Sequence, residues 1–225
     1  SLRLVGSEMC IRDSIEIYCD QGSAEAGRWL QLNHGPLSDA ELEHRLARYG
    51  LNPCGEILGV DFHCNLAEIH LNQIDPSDDE GQDDAFRAAA LSVACLLNHR
   101  FEVERYRQSR DWDPIVGVSF TGLFDFFVHA FGTEWLRWWE AGRPDTEAGK
   151  EFKRQEADYL SRWKQVVNET VWDYCDRHGL HRPNRCTTVQ PAGTKSLLTG
   201  AAPGWHPPKA QRFIRRITFR KDDPV

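Results

Sequence analysis

Apolar and polar positions along the chain change period several times, and each change marks an element. Across residues 37–49, Leu37, Leu42 and Leu46 recur behind Ser38, a candidate N-cap, with Asp39 and Glu41 in the first turn and Gly50 as the stop. A short amphipathic helix is expected there. From residue 51 to 71 the stretches EIL and LAEIHL alternate apolar and polar side chains imperfectly between turn-like residues, which predicts short strands or extended loops. Residues 84–104 carry Phe86, Ala89, Ala90, Val93, Leu96 and Leu97 at helical spacing behind an acidic first turn, so this stripe, with Cys95 in it, is expected to face a core.

Residues 116–131 open with Gly117 and Gly122 and continue through Leu123, Phe124, Phe126, Phe127, Val128 and Phe131, apolar nearly all round, which predicts a buried helix. Pro144 breaks the chain. Residues 146–178 then read as a long amphipathic helix through Phe152, Tyr159, Leu160, Trp163, Val166, Val167 and Trp172. Residues 181–204 are polar and rich in Gly and Pro, and residues 213–219 alternate Phe213, Ile214, Ile217 and Phe219 with arginines, as a strand with one wet face does. Helices that alternate with short extended segments predict an α/β architecture.

Composition agrees with a folded chain: 40% of the 225 residues are hydrophobic, and eight Trp with eleven Phe need a packed interior to bury them. The net charge of -7 repels phosphate backbones and disfavours nucleic acid as the main partner. Positive charge concentrates locally at Lys209, Arg212, Arg215, Arg216, Arg220 and Lys221, as a solvated face or beside a small anionic ligand. No apolar run reaches the length of about eighteen residues that a membrane span requires. Seven cysteines without regular spacing read as reduced thiols in a cytoplasmic protein rather than as a disulfide framework. Residues 1–14, SLRLVGSEMCIRDS, have no signal-peptide core and read as a non-native adapter-derived tail, which leaves residues 15–225 for fold reasoning and an upstream natural start as the expectation.

Two segments carry candidate chemistry. In Asn52-Pro53-Cys54-Gly55-Glu56 a thiol sits between two backbone breakers, and in an extended segment Cys54 and Glu56 point to the same side. The residues alone fit both a catalytic pair and a turn with a packed cysteine and a surface glutamate. In Gln190-Pro191-Ala192-Gly193-Thr194-Lys195-Ser196, small residues let backbone N–H groups approach an anion, and the Thr194 and Ser196 hydroxyls can donate to phosphate oxygens. The Walker spacing is absent, so the residues alone also fit a plain polar loop. His63, Cys64 and His70 match no common zinc spacing, and no metal site is expected. Cys175 and the tryptophans Trp135, Trp138 and Trp139 read as packing residues.

NPCGEI followed by FHCNLAEIHLN resembles the active-site segment of ribonucleotide reductases, in the long form of the monomeric, adenosylcobalamin-dependent class. PAGTKSLLTGAAPGWHPPKAQRFIRRI is similar to the substrate-phosphate loop and following strand of the same family, and VGVSFTGLFDFF to its glycine-punctuated helix. The motifs occur in the family's order, and the resemblance extends from about residue 49 onward. It implies part of a ten-stranded α/β barrel with several long helices, corresponding to a central fragment of the catalytic domain.

The resemblance also implies an activity: reduction of ribonucleoside triphosphates to deoxyribonucleotides by a thiyl radical on Cys54, with adenosylcobalamin as the initiating cofactor. Glu56 would be the general base, Asn52 would bind the ribose hydroxyls, and Cys64 would be one member of the reducing thiol pair. Pro191, Ala192, Gly193, Thr194, Lys195 and Ser196 would hold the substrate phosphates. Implied partners are thioredoxin as reductant and a deoxynucleotide effector, with no nucleic acid and no membrane. The competing readings are the large subunit of a diiron-type ribonucleoside-diphosphate reductase and a non-catalytic nucleotide-binding module.

Overall fold

The computed structural model describes residues 28, 31, 36–48, 50–51, 57–59, 61–63, 65–207 and 221. Asn52, Cys54, Glu56 and Cys64, residues 1–14 and the strand expected over 213–219 lie outside the described residues.

Helix α1, Asp39–Arg48, begins where the Ser38 hydroxyl accepts the Glu41 N–H at 3.2 Å, as the N-cap reading expects. Gly50 does not merely stop it: Gly50–Leu51 forms strand β1, paired antiparallel with β2, Leu58–Gly59. Strand β3, Asn65–His70, runs through a 3-10 turn at Leu71–Gln73 into helix α2, Asp79–Leu96. This helix starts ahead of the expected residue 84 because Asp78 caps it, accepting the Gly81 N–H at 2.9 Å. It also stops before the expected residue 104. The Leu97 and His99 carbonyls accept from the Arg110 guanidinium at 2.7 and 3.1 Å instead of continuing the helix, and Glu104–Trp112 forms a separate helix, α3.

The largest correction falls on residues 116–131. Val116–Thr121 is strand β4, buried at every position, so its apolar content imitated a helix buried all round. Helix α4, Leu123–Glu140, begins only after Gly122, whose φ of +75° ends the strand, and is kinked at Gly132, where φ is +76°. Helix α5, Glu147–His178, matches the expected span closely, with Thr146 accepting the Gly149 N–H at its start and Gly179 left-handed at its end.

Strands β3 and β4 pair in parallel, Asn65 opposite Val116 through His70 opposite Thr121. A further parallel bridge joins Val118 to Thr187, so the 186–190 segment lies along the other edge of β4. Helices cross over between each of these extended segments, the arrangement parallel pairing requires. The α/β class is therefore borne out. A closed ring of ten strands is not formed by the described residues, which hold two two-stranded sheets.

Side chains alternate across β3 and β4, giving the pair two chemically distinct faces. Ile69, Val116, Val118 and Phe120 join the core with α2, α4 and α5, where Phe86 stacks on Trp163 with ring centroids 4.8 Å apart. Cys95 does not face this core: it is exposed, because the helix turns Ala94 and Leu97 inward instead. Cys175, Trp135 and Trp138 pack as expected. Among the described residues no helix is long and apolar enough to cross a membrane.

The core also holds a buried carboxylate. Glu156, 1% exposed, accepts from the Trp135 indole at 2.7 Å and from the Arg143 guanidinium at 2.6 Å. Glu156→Ala leaves both donors without their acceptor, and breaking a pair of this kind costs about 3–5 kcal/mol. A lowered urea midpoint is the expected result; an unchanged midpoint would show that Arg143 finds water at no cost.

Candidate functional site

The opposite face of the β3–β4 pair is polar. Glu68 and His70 from β3 stand in register with Ser119 and Thr121 from β4. Each of these four side chains holds the connection that follows α5, residues 190–204. The Ser119 hydroxyl accepts the Gln190 N–H at 3.1 Å, and the Thr121 hydroxyl donates to the Ala202 carbonyl at 3.1 Å while accepting the Gly204 N–H at 2.9 Å. His70 Nδ1 lies 2.7 Å from the Thr199 hydroxyl, and the Asn72 side chain bonds both the Thr199 carbonyl and its hydroxyl. Lys195 Nζ lies 2.9 Å from Glu68 Oε2. The connection is thus tied to the sheet near its start, its middle and its end.

Where β4 turns into α4 the connection passes close overhead. Gly122 donates to the Ala202 carbonyl at 2.9 Å, and a Cβ there would lie 3.0 Å from the Asn72 nitrogen and 3.2 Å from the Ala201 methyl. In the first turn of α4, Asp125 accepts the Ala202 N–H at 2.7 Å.

Within the loop itself the six expected phosphate residues divide into two groups. Ala192 and Ser196 are buried, with the Ser196 N–H donating to the Ala192 carbonyl at 3.0 Å and its hydroxyl to the Gly193 carbonyl at 3.2 Å. Pro191, Gly193 and Thr194 are exposed, and a Cβ added to Gly193 would meet open space. Lys195 is half-exposed, 44%, above Glu68, 4% exposed. Ser196 thereby shapes the turn from inside, while Gly193, Thr194 and the Lys195 ammonium form its accessible lip.

Sequence reasoning missed Glu68, Ser119, Thr121, Asn72, Thr199 and Asp125. Glu68 and His70 were readable in NLAEIH, where they take alternate positions of a strand. Ser119 and Thr121 were concealed by the helical reading of their segment.

Cys175 and Cys186 are buried on the helix side, away from this polar face. Burial, with Asp176 nearby, pushes the Cys175 thiol up to about 11, and burial, with Cys175 nearby, pushes Cys186 up to about 12. Thiols held protonated in this way are poor nucleophiles.

Several known proteins are similar to this chain. A relative from Levilactobacillus brevis, named adenosylcobalamin-dependent ribonucleoside-triphosphate reductase, is 31% identical over 226 residues, covering 96% of this chain and 29% of the relative. Proteins of the same name from Lactobacillus gasseri and Lacticaseibacillus paracasei are 30% and 31% identical over 78% of this chain, and each is covered to 24% of its length. The chain thus spans less than a third of the relatives it matches. A solved B12-dependent, class II ribonucleotide reductase aligns with a TM-score of 0.52 and 22% identity over 70% of this chain and 22% of that one, a likeness of fold. No protein-family model matches the chain.

Two outcomes test the cysteine environments. At pH 8 iodoacetamide should modify the exposed Cys95 in the native chain and leave Cys175 and Cys186 until unfolding. Because the folded state keeps thiol protons that the unfolded state loses, stability should fall as pH rises from about 9 toward 12, which pH-dependent urea titrations read directly. Equal labelling of all three thiols in the native chain would contradict the burial described.

Proposed function

We propose that this chain belongs to the adenosylcobalamin-dependent ribonucleotide reductase family, that it forms part of the catalytic domain of a ribonucleoside-triphosphate reductase and that it holds the substrate's phosphates. The observation that carries this reading is the polar face of β3 and β4, which fixes residues 190–204 and leaves Gly193, Thr194 and Lys195 at the surface of the turn. Backbone amides, a hydroxyl and an ammonium gathered on a tied-down loop suit a polyanion. The parallel run of β3, β4 and the 186–190 segment, with helices outside, supports a place in the family's ten-stranded barrel, whose interior side would be the polar face.

In this reading Cys54 carries the thiyl radical and abstracts the ribose 3′ hydrogen, Glu56 takes the 3′ hydroxyl proton, and Asn52 orients the ribose hydroxyls. Cys64 supplies one of the two thiols that reduce the substrate. Adenosylcobalamin, when bound, supplies the radical initiation that no protein side chain provides alone. Among the described residues none is assigned to the corrinoid. Thioredoxin as the external reductant, a deoxynucleotide effector and a cytoplasmic setting complete the proposal.

Cys54→Ser in the holoenzyme should abolish both nucleotide reduction and exchange of cofactor hydrogen with solvent, since both need the thiol. Exchange retained in that variant would move the radical to another residue. Glu56→Gln should keep the exchange and slow reduction by roughly 10²–10⁴-fold, the usual share of a positioned general base. Turnover near the wild-type rate would remove Glu56 from the reaction.

A further inference from the structure

Glu68 is an anomaly on the polar face. Its side chain is 4% exposed, and neither carboxylate oxygen has a hydrogen-bond donor among the described residues. The Lys195 ammonium stands 2.9 Å from Oε2, close enough for an ion pair although outside hydrogen-bond alignment. A buried carboxylate demands a balancing charge, and here that charge comes from the lip of the loop. Lysine has three N–H donors, so one can be turned toward Glu68 while the others face outward. Lys195 is 44% exposed, which leaves its outward side open to solvent beside Gly193 and Thr194.

We propose that Glu68 is a positioning residue for the anion-binding loop: it anchors the Lys195 ammonium to β3 and so presents the remaining lysine donors, at a fixed place on the lip, to the phosphates of a ribonucleoside triphosphate. This rests on the reading of residues 190–196 as the substrate-phosphate loop. A free lysine side chain spreads its charge over many rotamers, whereas one tied to a buried carboxylate is already ordered when the anion arrives, and less freedom is lost on binding. The charge balance also matters. Without the ammonium, the Glu68 carboxylate would stand as a bare anion beneath the phosphates and repel them.

The test is a four-cornered set on the holoenzyme: wild type, Glu68→Gln, Lys195→Met and the double variant, with KM and kcat for the ribonucleoside triphosphate. Glu68→Gln keeps the side chain's shape and should raise KM about tenfold while kcat changes less than about threefold, the signature of lost binding rather than lost chemistry. Lys195→Met should raise KM at least as much. Because Glu68 acts through Lys195, the double variant should be no worse than Lys195→Met alone. Effects that multiply, or an unchanged KM in Glu68→Gln beside a raised one in Lys195→Met, would overturn the positioning role and leave the phosphate-loop reading standing. An unchanged KM in Lys195→Met would remove that reading and the inference together.

Lys195→Met alone leaves a buried charge uncompensated and can fail to fold. In that event Glu68→Asp decides, since the flexible lysine can follow the shorter carboxylate. KM for Glu68→Asp within about threefold of wild type, against a tenfold rise for Glu68→Gln, supports the anchor. Equal KM values for the two variants overturn it.

Discussion

The parallel pairing of β3 with β4 is the constraint on which the rest of the molecule depends. Register fixes which side chains share a face, and a slip of one residue would exchange the two faces completely. With Glu68 opposite Ser119 and His70 opposite Thr121, these four polar side chains turn one way and Ile69, Val118 and Phe120 turn the other. The apolar face joins the core with α2, α4 and α5, where Trp163 stacks on Phe86 and meets Phe126 and Tyr159 edge-on or tilted. The polar face could not be covered by a helix without stranding its hydroxyls and its carboxylate. It is covered by a loop whose backbone pairs with the Ser119 and Thr121 hydroxyls and whose Thr199 and Lys195 side chains meet His70 and Glu68.

This division explains why an irregular segment can hold a defined shape. Residues 190–204 have little regular structure beyond a short 3-10 turn at Lys195–Leu198, yet their amides and carbonyls are paired with Ser119, Thr121, Asn72 and Asp125. A loop stabilised by side chains of a sheet inherits the rigidity of that sheet. At Gly122 a Cβ would lie 3.2 Å from the Ala201 methyl of the loop and 3.0 Å from the Asn72 nitrogen, and the positive φ strains any side chain there as well.

The sequence made the helices legible and concealed the strand at the centre. Asp78 and Thr146 are ordinary capping residues, and α5 was readable because its apolar stripe persists over many turns. Residues 116–121 were not readable as a strand, because a strand buried on both faces loses the alternation that identifies it and runs directly into the apolar start of α4. The candidate loop was recognisable by its motif and by its small residues. Its supports were not, since Ser119, Thr121 and Asp125 lie some seventy to eighty residues away in sequence, and only the fold brings them to Gln190 and Ala202.

Two buried glutamates show how the surroundings separate a structural role from a functional one. Glu156 receives an indole N–H and a guanidinium, so both its oxygens are satisfied and its place between α4 and α5 is that of a cross-brace. Glu68 is nearly as buried, yet it has one ammonium, itself half-exposed, and no aligned donor. If stability alone governed that position, an apolar residue matching Leu66 on the same face would serve better, because desolvating a carboxylate for a single imperfect ion pair gains little. The cost of keeping a charge there is understandable when the charge acts on something beyond the core, and what it touches is the lysine at the lip of the loop.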